Sequence, residues 1–269
     1  MRASDHGRSE HNLGHVIFLG TGDALNWERT QTSLALPLAD DAAMLIDASS
    51  GTVLLRQLEA AEIPLERVRH LFVSHLHFDH VGGLAPLLIA MAPLPRASLA
   101  VHAMPRTLKG LRELLALTIP GVESWLGGRL RWREFAPGES VRLDGAEITP
   151  FRVDHGPECV GFRVKQAGSV AVFTADTRPC PEIVENAKGA DLLIHEVHSL
   201  ECEAERAHAL GHPTAAEAGR AAREAGAGRL VLTHFRAGRF ADPEALAAEA
   251  EISFGHPVEV AGDLMVSAF

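Results

Sequence analysis

Apolar and polar positions alternate along the chain with two different periods. Short apolar runs bounded by turn residues are typical of strands, and they predict strands at 15–20, 32–38, 42–49, 68–74 and 97–103. Apolar residues that recur three and four positions apart are typical of helices, and they predict helices at 51–63, 82–92 and 105–117. The first half of the chain therefore mixes strands with helices.

The pattern changes in the middle of the chain and then returns. From 129 to 174 the alternation has period two, with turns at Asp144-Gly145 and Ala167-Gly168, which predicts antiparallel hairpins. The last third predicts strands at 191–197, 228–235 and 263–269, with helices at 213–226 and 242–252. We predict an α/β fold in which two mixed sheets pack face to face with helices outside, a four-layer αββα sandwich. Residues 14–269 form one domain in this interpretation, and 1–13 a flexible tail.

Composition and charge narrow the range of possible locations and partners. No apolar run reaches the 18 residues of a membrane span, and the polar start of the chain shows no secretory signal, so we expect a cytoplasmic protein without a membrane partner. The three cysteines stand far apart in the sequence, which favours reduced thiols over a disulfide framework. A net charge of −10 argues against an extended nucleic acid as partner. In the one basic run, 127–133, arginines alternate with apolar residues, which is typical of a strand whose arginine side faces solvent.

The segment SHLHFDH, residues 74–80, carries the strongest chemical signal. It places three histidines and an aspartate directly after a buried strand, where α/β proteins keep their functional loops. His75 and His77 are two positions apart, so both rings can point the same way from extended chain. Asp79 and His80 follow as the chain enters the next helix. One metal ion cannot easily use all four side chains, whereas two neighbouring ions can, with His75 and His77 on the first and Asp79 and His80 on the second.

Three further metal-type residues end other predicted strands. His155 follows 148–154, Asp176 follows 169–175, and His234 follows 229–233. Together with the histidine segment they complete two half-sites. All of the candidate ligands offer nitrogen or oxygen, which suits zinc, with manganese or iron as alternatives. We therefore predict two divalent metal ions, most simply Zn²⁺.

Several motifs resemble, in order, those of the metallo-β-lactamase superfamily: FLGTGDA (18–24), SHLHFDHVGG (74–83), DHG (154–156), FTADT (173–177) and LTHF (232–235). The resemblance covers the chain from His15 onward. Within the superfamily, the segments at 191–196 and 212–235 are most similar to the ribonuclease Z branch and its phosphodiesterase and arylsulfatase-like relatives.

The resemblance implies the αββα fold, a dinuclear site and specific roles. It implies that His75, His77 and His155 bind one metal, that Asp79, His80 and His234 bind the other, and that Asp176 bridges them. It also implies a catalytic pair, Glu196 and His212, beside the metals, and we count Asp79 with this pair among the catalytic residues. A carboxylate that orients an imidazole raises its pKa and lets it donate a proton to a reacting oxyanion. We expect structural roles for His195 and His198.

The resemblance weakens at one point. Transfer-RNA maturases of the family carry a long arm between the positions that match His155 and Asp176, and here these residues are only 21 apart. We therefore favour a metal-dependent phosphodiesterase acting on a small ester. The alternatives are a hydrolase of another bond (arylsulfatase, lactonase or β-lactamase-like), a tRNA 3′ endonuclease, and a non-hydrolytic metal-binding protein. The sequence leaves a homodimer open as the assembly.

Overall fold

The computed structural model describes residues 14–156, 158–238 and 241–269, so the predicted tail at 1–13 lies outside the described residues. The first sheet has the strand order β14-β1-β2-β3-β4-β5-β6. Its strands are β1 (His15–Gly20), β2 (Ser33–Pro37), β3 (Ala43–Ile46), β4 (Val68–Phe72), β5 (Leu99–Ala103), β6 (Leu130–Glu134) and β14 (Val266–Ala268). The pairs from β14 to β3 are antiparallel and those from β3 to β6 are parallel.

The second sheet repeats this division, with the order β13-β12-β11-β10-β9-β8-β7. Its strands are β7 (Val141–Leu143), β8 (Ala146–Arg152), β9 (Val160–Gln166), β10 (Ser169–Phe173), β11 (Leu192–Glu196), β12 (Leu230–Thr233) and β13 (Val258–Val260). Strands β7 to β10 form an antiparallel meander, and β10 to β13 are parallel. Both sheets are therefore mixed, as the sequence predicts.

Helices cover the outer face of each sheet. They are α1 (Val53–Ala60), α2 (Phe78–Val81), α3 (Leu84–Met91), α4 (Pro105–Thr118), α5 (Val122–Leu126), α6 (Pro181–Ala187), α7 (Ala204–Leu210), α8 (Ala215–Ala225) and α9 (Pro243–Phe254). Buried side chains of α1, α3 and α4 pack with the first sheet, and those of α6, α8 and α9 pack with the second. Between the sheets lies an apolar layer that includes Phe18, Phe72 and Phe162. The predicted αββα sandwich is confirmed.

Local chemistry fixes the ends of several elements. Thr214 caps α8, since its hydroxyl accepts from the Glu217 N–H while the Glu217 carboxylate accepts from the Thr214 N–H. Gly226 ends the same helix in the left-handed conformation. At Gly83, a Cβ atom would lie 2.0 Å from the Ala48 carbonyl oxygen. Only glycine therefore lets the start of α3 approach the end of β3, which holds the histidine segment against the first sheet.

Two features differ from the sequence predictions. The run at 129–135 is not part of a hairpin, because β6 pairs in parallel with β5 in the first sheet. Arg129 does not lie on a solvent face either. Its guanidinium donates to five backbone carbonyls around the ends of α3 and α5, including that of Leu94 at 2.7 Å. A two-residue period identifies a strand but not its partner, since pairing depends on what the rest of the sheet leaves open.

Helices α5, α6 and α7, and the strand β13, have no counterpart among the predictions. Each is short, three to seven residues, so its periodicity is too brief to stand out. None of the helices in the described ranges has the length and apolar run that crossing a bilayer requires.

Candidate metal centre

The site lies where the parallel strands of both sheets end. The histidine segment follows β4, and α2 begins inside it, so that Asp79 and His80 stand on the first turn of a helix. From the second sheet, His155, Asp176 and His234 follow β8, β10 and β12. Because the carboxyl ends of these strands meet at one edge of the sandwich, all seven predicted ligands come together.

The first group consists of His75, His77, His155 and Asp176, whose ligand atoms lie within 4.8 Å of one another. His155 Nε2 is 3.2 Å from His77 Nδ1, and His75 Nε2 is 3.7 Å from Asp176 Oδ2. His155 Nδ1 donates to the Gly211 carbonyl at 2.9 Å, which leaves its Nε2 as the atom with a lone pair. Within this group only His77 is exposed. The first group therefore opens toward solvent.

The second group consists of Asp79, His80, Asp176 and His234, and all four side chains are buried. His234 Nε2 lies 3.4 Å from Asp79 Oδ2 and 3.3 Å from Asp176 Oδ1. His80 Nε2 is 3.3 Å from the same Asp176 oxygen. Asp176 therefore belongs to both groups, with Oδ2 directed to the first and Oδ1 to the second.

Buried atoms without hydrogen bonds show that the residues fit a cation. In the described part of the chain, His75 Nε2, His80 Nε2 and Asp176 Oδ1 are fully buried and have no hydrogen-bond partner of good geometry. Such atoms are rare in proteins because burying an unpaired polar atom is costly. Each of the three points into one of the groups, and nitrogen and carboxylate oxygen are common ligands of divalent metals. The site is suited to divalent metal ions.

A buried aspartate that the sequence analysis missed, Asp47, supports the second group. It follows β3, and its Oδ2 accepts from His80 Nδ1 at 2.8 Å. The same carboxylate accepts from the Ser74 N–H and hydroxyl at 2.8 and 2.7 Å. A carboxylate on one ring nitrogen fixes the tautomer and leaves the other nitrogen free to bind metal. Its position at a strand end, in MLIDAS, was the only signal in the sequence.

Carboxylates and imidazoles shift each other's pKa values in this site. Burial lowers the pKa of His234, but Asp176, Asp79 and Glu196 outweigh it and raise the pKa to about 9. Burial raises the pKa of Asp79, but His80 and His234 lower it well below its usual range. The buried carboxylates thus favour the protonated form of His80 and His234, whereas burial lowers the pKa values of His75 and His77. A divalent cation satisfies the same demand for positive charge.

Glu196 and His212 form the pair that the resemblance implies. Both oxygens of the fully buried Glu196 carboxylate lie 2.9 to 3.0 Å from His212 Nδ1, and Glu196 also accepts from the Thr177 N–H. Burial lowers the pKa of His212, but the Glu196 carboxylate outweighs it and raises the pKa above the ordinary value. The His212 ring lies between those of His155 and His234, with centroids at 5.1 and 5.6 Å. The pair therefore stands beside both groups.

The two remaining histidines of this strand end differ from each other. His195 points to the opposite face of β11, where its Nδ1 donates to the Glu196 carbonyl at 2.8 Å, in keeping with a structural role. His198 stacks on His212, with centroids 5.2 Å apart and planes 7° from parallel. Its buried Nδ1 has no hydrogen-bond partner among the described residues, so His198 is not the satisfied structural histidine that we expected.

Comparison with known proteins agrees with this geometry. A family model described as "Beta-lactamase superfamily domain" matches residues 43–235. The ribonuclease Z of Bacteroides fragilis is 30% identical over 302 aligned positions, which cover 93% of this chain and 97% of that protein. The ribonuclease Z of Haloferax volcanii is also 30% identical, covering 92% of each chain.

A solved structure shows the same fold. The metallo-beta-lactamase fold protein YhfI from Bacillus subtilis superimposes with a TM-score of 0.82 at 24% identity, covering 96% of this chain and all of that one. The family model spans most of the chain, and the sequence relatives match it nearly end to end. This chain belongs to the beta-lactamase superfamily, and it is a metal-dependent hydrolase of the branch that includes the ribonuclease Z proteins.

Proposed function

We propose that the protein is a dinuclear metal-dependent phosphodiesterase that hydrolyses small phosphodiesters. One observation carries the proposal: Asp176 is shared by two groups of metal-type side chains, with the Glu196–His212 pair beside them. A tetrahedral zinc ion binds four ligands, so seven candidate ligands are too many for one ion and suffice for two. The proposal includes one domain over 14–269.

We assign the first ion to His75, His77, His155 and Asp176, and the second to Asp79, His80, His234 and Asp176. Nitrogen and oxygen ligands favour Zn²⁺, with Mn²⁺ or Fe²⁺ as alternatives. When bound, such ions lower the pKa of water to near neutrality and neutralise negative charge on a phosphoryl group.

The chain's own residues supply proton transfer and orientation. Glu196 holds His212 by its Nδ1, so that Nε2 is the atom available to substrate. The raised pKa of His212 keeps the ring protonated closer to neutral pH. A protonated His212 can donate from Nε2 to the leaving oxygen or to the phosphoryl oxyanion. The backbone N–H of Thr177 holds the Glu196 carboxylate in turn.

Three observations support a small substrate. Strands β9 and β10 follow each other through a two-residue turn at Ala167-Gly168, so no long arm stands between His155 and Asp176. The alignment with the B. fragilis relative spans 302 positions against 269 residues here, so that relative has segments that this chain lacks. The net charge of −10 also disfavours a long phosphate backbone.

The names of the relatives support a second candidate. Proteins called ribonuclease Z match nearly the whole chain, so processing of RNA at a 3′ end is the main alternative. Hydrolysis of an aryl sulfate, a lactone or a β-lactam uses the same kind of site and is the next alternative. A cytoplasmic location and a homodimer stay predictions.

A substrate panel with metal analysis of the same sample tests the proposal. The panel compares bis-p-nitrophenyl phosphate, an aryl sulfate, a lactone, nitrocefin and a precursor tRNA. We expect the phosphodiester to react fastest and the protein to hold more than one equivalent of metal. Faster turnover of any other substrate would contradict the phosphodiesterase assignment, and activity with metal near zero would contradict the dinuclear site.

A further inference from the structure

A cavity of about 330 Å³ lies between α6 and α8, on the face of β11 that is turned away from the metal centre. A water molecule occupies roughly 30 Å³ in the liquid, so the cavity has room for one ring with a short side chain. None of the seven candidate metal ligands lines it, and neither Glu196 nor His212 does. The cavity is therefore separate from the metal centre.

His195 supplies a buried hydrogen-bond acceptor to this cavity. Its Nδ1 lies 2.8 Å from the Glu196 carbonyl, and a carbonyl can only accept, so Nδ1 carries the proton and Nε2 keeps a lone pair. Within the described residues no hydrogen bond engages Nε2. Because His195 is only 1% exposed and lines the cavity, a molecule in the cavity is what can reach this nitrogen. A ligand that satisfies His195 must therefore donate a hydrogen bond.

Much of the remaining wall is apolar. Ile183 and Val184 line the cavity from α6, and Ala221 lines it from α8. Three proline rings add to this surface. Since burial of apolar surface is favourable, these walls favour a ligand with an apolar body.

The charged residues of the lining favour a cation. Glu217 and Glu224 set two carboxylates against the one guanidinium of Arg220. The guanidinium is already paired, with Nη1 2.8 Å from Glu201 Oε1, and Glu217 lies 2.9 Å from His208 Nε2. Glu224 has no ion pair within the described residues, so its carboxylate can balance a positive ligand. An anionic ligand would instead meet like charges.

We propose that this cavity is a second binding site, which takes a small organic ammonium ion whose charged group is attached to an apolar ring. The ammonium group donates to His195 Nε2, and the Glu224 carboxylate balances its charge. The ring contacts the apolar wall at Ile183 and Val184. An ammonium ion suits all of these walls because it donates, cannot accept and is positively charged. The inference does not depend on the proposed hydrolysis.

Equilibrium titration of the metal-loaded protein with four compounds of similar size, followed by ligand-detected NMR, tests the inference. The compounds are 2-phenylethylamine, 2-phenylethanol, ethylbenzene and phenylacetate. An alkylamine is protonated at pH 7, since its pKa is about 10. We expect the amine to bind about five- to tenfold more tightly than the alcohol, because a charged donor forms the stronger hydrogen bond. Ethylbenzene and phenylacetate should both bind more weakly than the alcohol.

Three variants locate the bound amine. Ala221→Phe fills the cavity from α8 and should remove binding of every compound. His195→Phe removes the acceptor and should weaken binding of the amine and the alcohol by about tenfold, with little effect on ethylbenzene. Glu224→Gln should lower the ratio of amine to alcohol affinity by about two- to fivefold, the reach of an exposed ion pair. Glu185→Gln is the matched control, since Glu185 is an exposed carboxylate of α6 that does not line the cavity.

The inference is wrong if none of the four compounds binds, or if the alcohol or phenylacetate binds more tightly than the amine. Amine binding that survives both Ala221→Phe and His195→Phe would place the amine elsewhere, for example with its nitrogen on a metal ion, and would also overturn the site. An equal response to Glu224→Gln and Glu185→Gln would reduce the charge preference to a general effect of the acidic surface. Circular dichroism checks that each variant is folded, and if Ala221→Phe does not fold, His195→Phe and Glu224→Gln decide the outcome.

Discussion

Buried histidines of the metal centre and of the first sheet differ in their pKa values where carboxylates surround the ring; His75 of the metal centre, which burial and three neighbouring histidines hold well below its ordinary pKa, is the exception. In the metal centre, His80 and His234 have raised pKa values. On the first sheet, the His102 ring stacks on that of Phe72, with the ring centroids 4.4 Å apart. Its Nε2 lies 3.1 Å from His70 Nδ1. Burial, together with His70 and neighbouring arginines, lowers the pKa of His102 to about 3.

Burial pushes toward the neutral ring in both regions, so burial cannot be the cause of the difference. The difference is the carboxylates, which lie against the rings of the metal centre, whereas His102 lies against another histidine and an aromatic ring. A buried imidazole with carboxylates around it requires a cation, and a proton or a metal ion can serve. A buried imidazole without them excludes one. The following changes test this distinction.

Asp176→Ala should have the largest effect, because it removes the carboxylate that both groups share. We expect hydrolysis to fall by more than about 10³-fold, beyond the 10- to 100-fold typical of losing a partner outside the ligand set. Circular dichroism should show the fold retained, and metal content should drop. Asp144→Ala, at an exposed turn, is the control. Activity within a few fold of wild type would disprove the bridging assignment.

His212→Ala should lower kcat by about 10²–10⁴-fold without changing metal content, because His212 is proposed as a proton donor and not as a ligand. Glu196→Gln should lose less, since Glu196 only orients and polarises the ring. The double variant should be little worse than His212→Ala, because residues that act as a unit are not additive. A p-nitrophenolate leaving group should hide part of the loss. If His212→Ala and Glu196→Gln both match wild type on every substrate, the pair no longer supports phosphodiester chemistry.

Asp47→Asn should weaken metal binding in the second group by about 10- to 100-fold, since it removes the charge behind His80. Asparagine tolerates the left-handed conformation that Asp47 adopts, with φ of 59°, so the backbone should not change. Metal retention against increasing chelator measures the effect. One ion should leave at lower chelator concentration than in wild type. Unchanged retention of both ions would show that the carboxylate behind His80 is dispensable.

His102→Phe should make stability less sensitive to acid. A histidine whose folded pKa is depressed binds protons mainly in the unfolded chain, so wild-type stability falls as the pH drops from about 6.5 toward 3. From pH 7 to pH 5 this amounts to about 2 kcal/mol. Phenylalanine keeps the stack on Phe72 and does not titrate.

Urea unfolding of both proteins at pH 7 and pH 5 measures that effect. Acid also releases metal, but it does so in both proteins, so the difference between them isolates His102. An equal loss of stability in wild type and variant would show that His102 does not take up a proton on unfolding, contrary to what its burial implies.

The sequence alone predicted much of the fold and the composition of the site. Apolar periodicity predicted most strands and the longer helices, because burial of one face leaves its period in the sequence. The segment 74–80, with His155, Asp176 and His234 at strand ends, predicted which side chains meet, because parallel strands bring their carboxyl ends to one edge. These features depend on local pattern and general topology.

Tertiary structure alone decided the rest. The partner of β6, the contact of Asp47 with His80 and the stack of His198 on His212 all join residues that are distant in sequence. An aspartate after a strand looks the same in sequence whether it faces solvent or an imidazole. The distinction arises from which atoms lie within hydrogen-bonding distance and how much water is excluded, and packing of the two sheets fixes both.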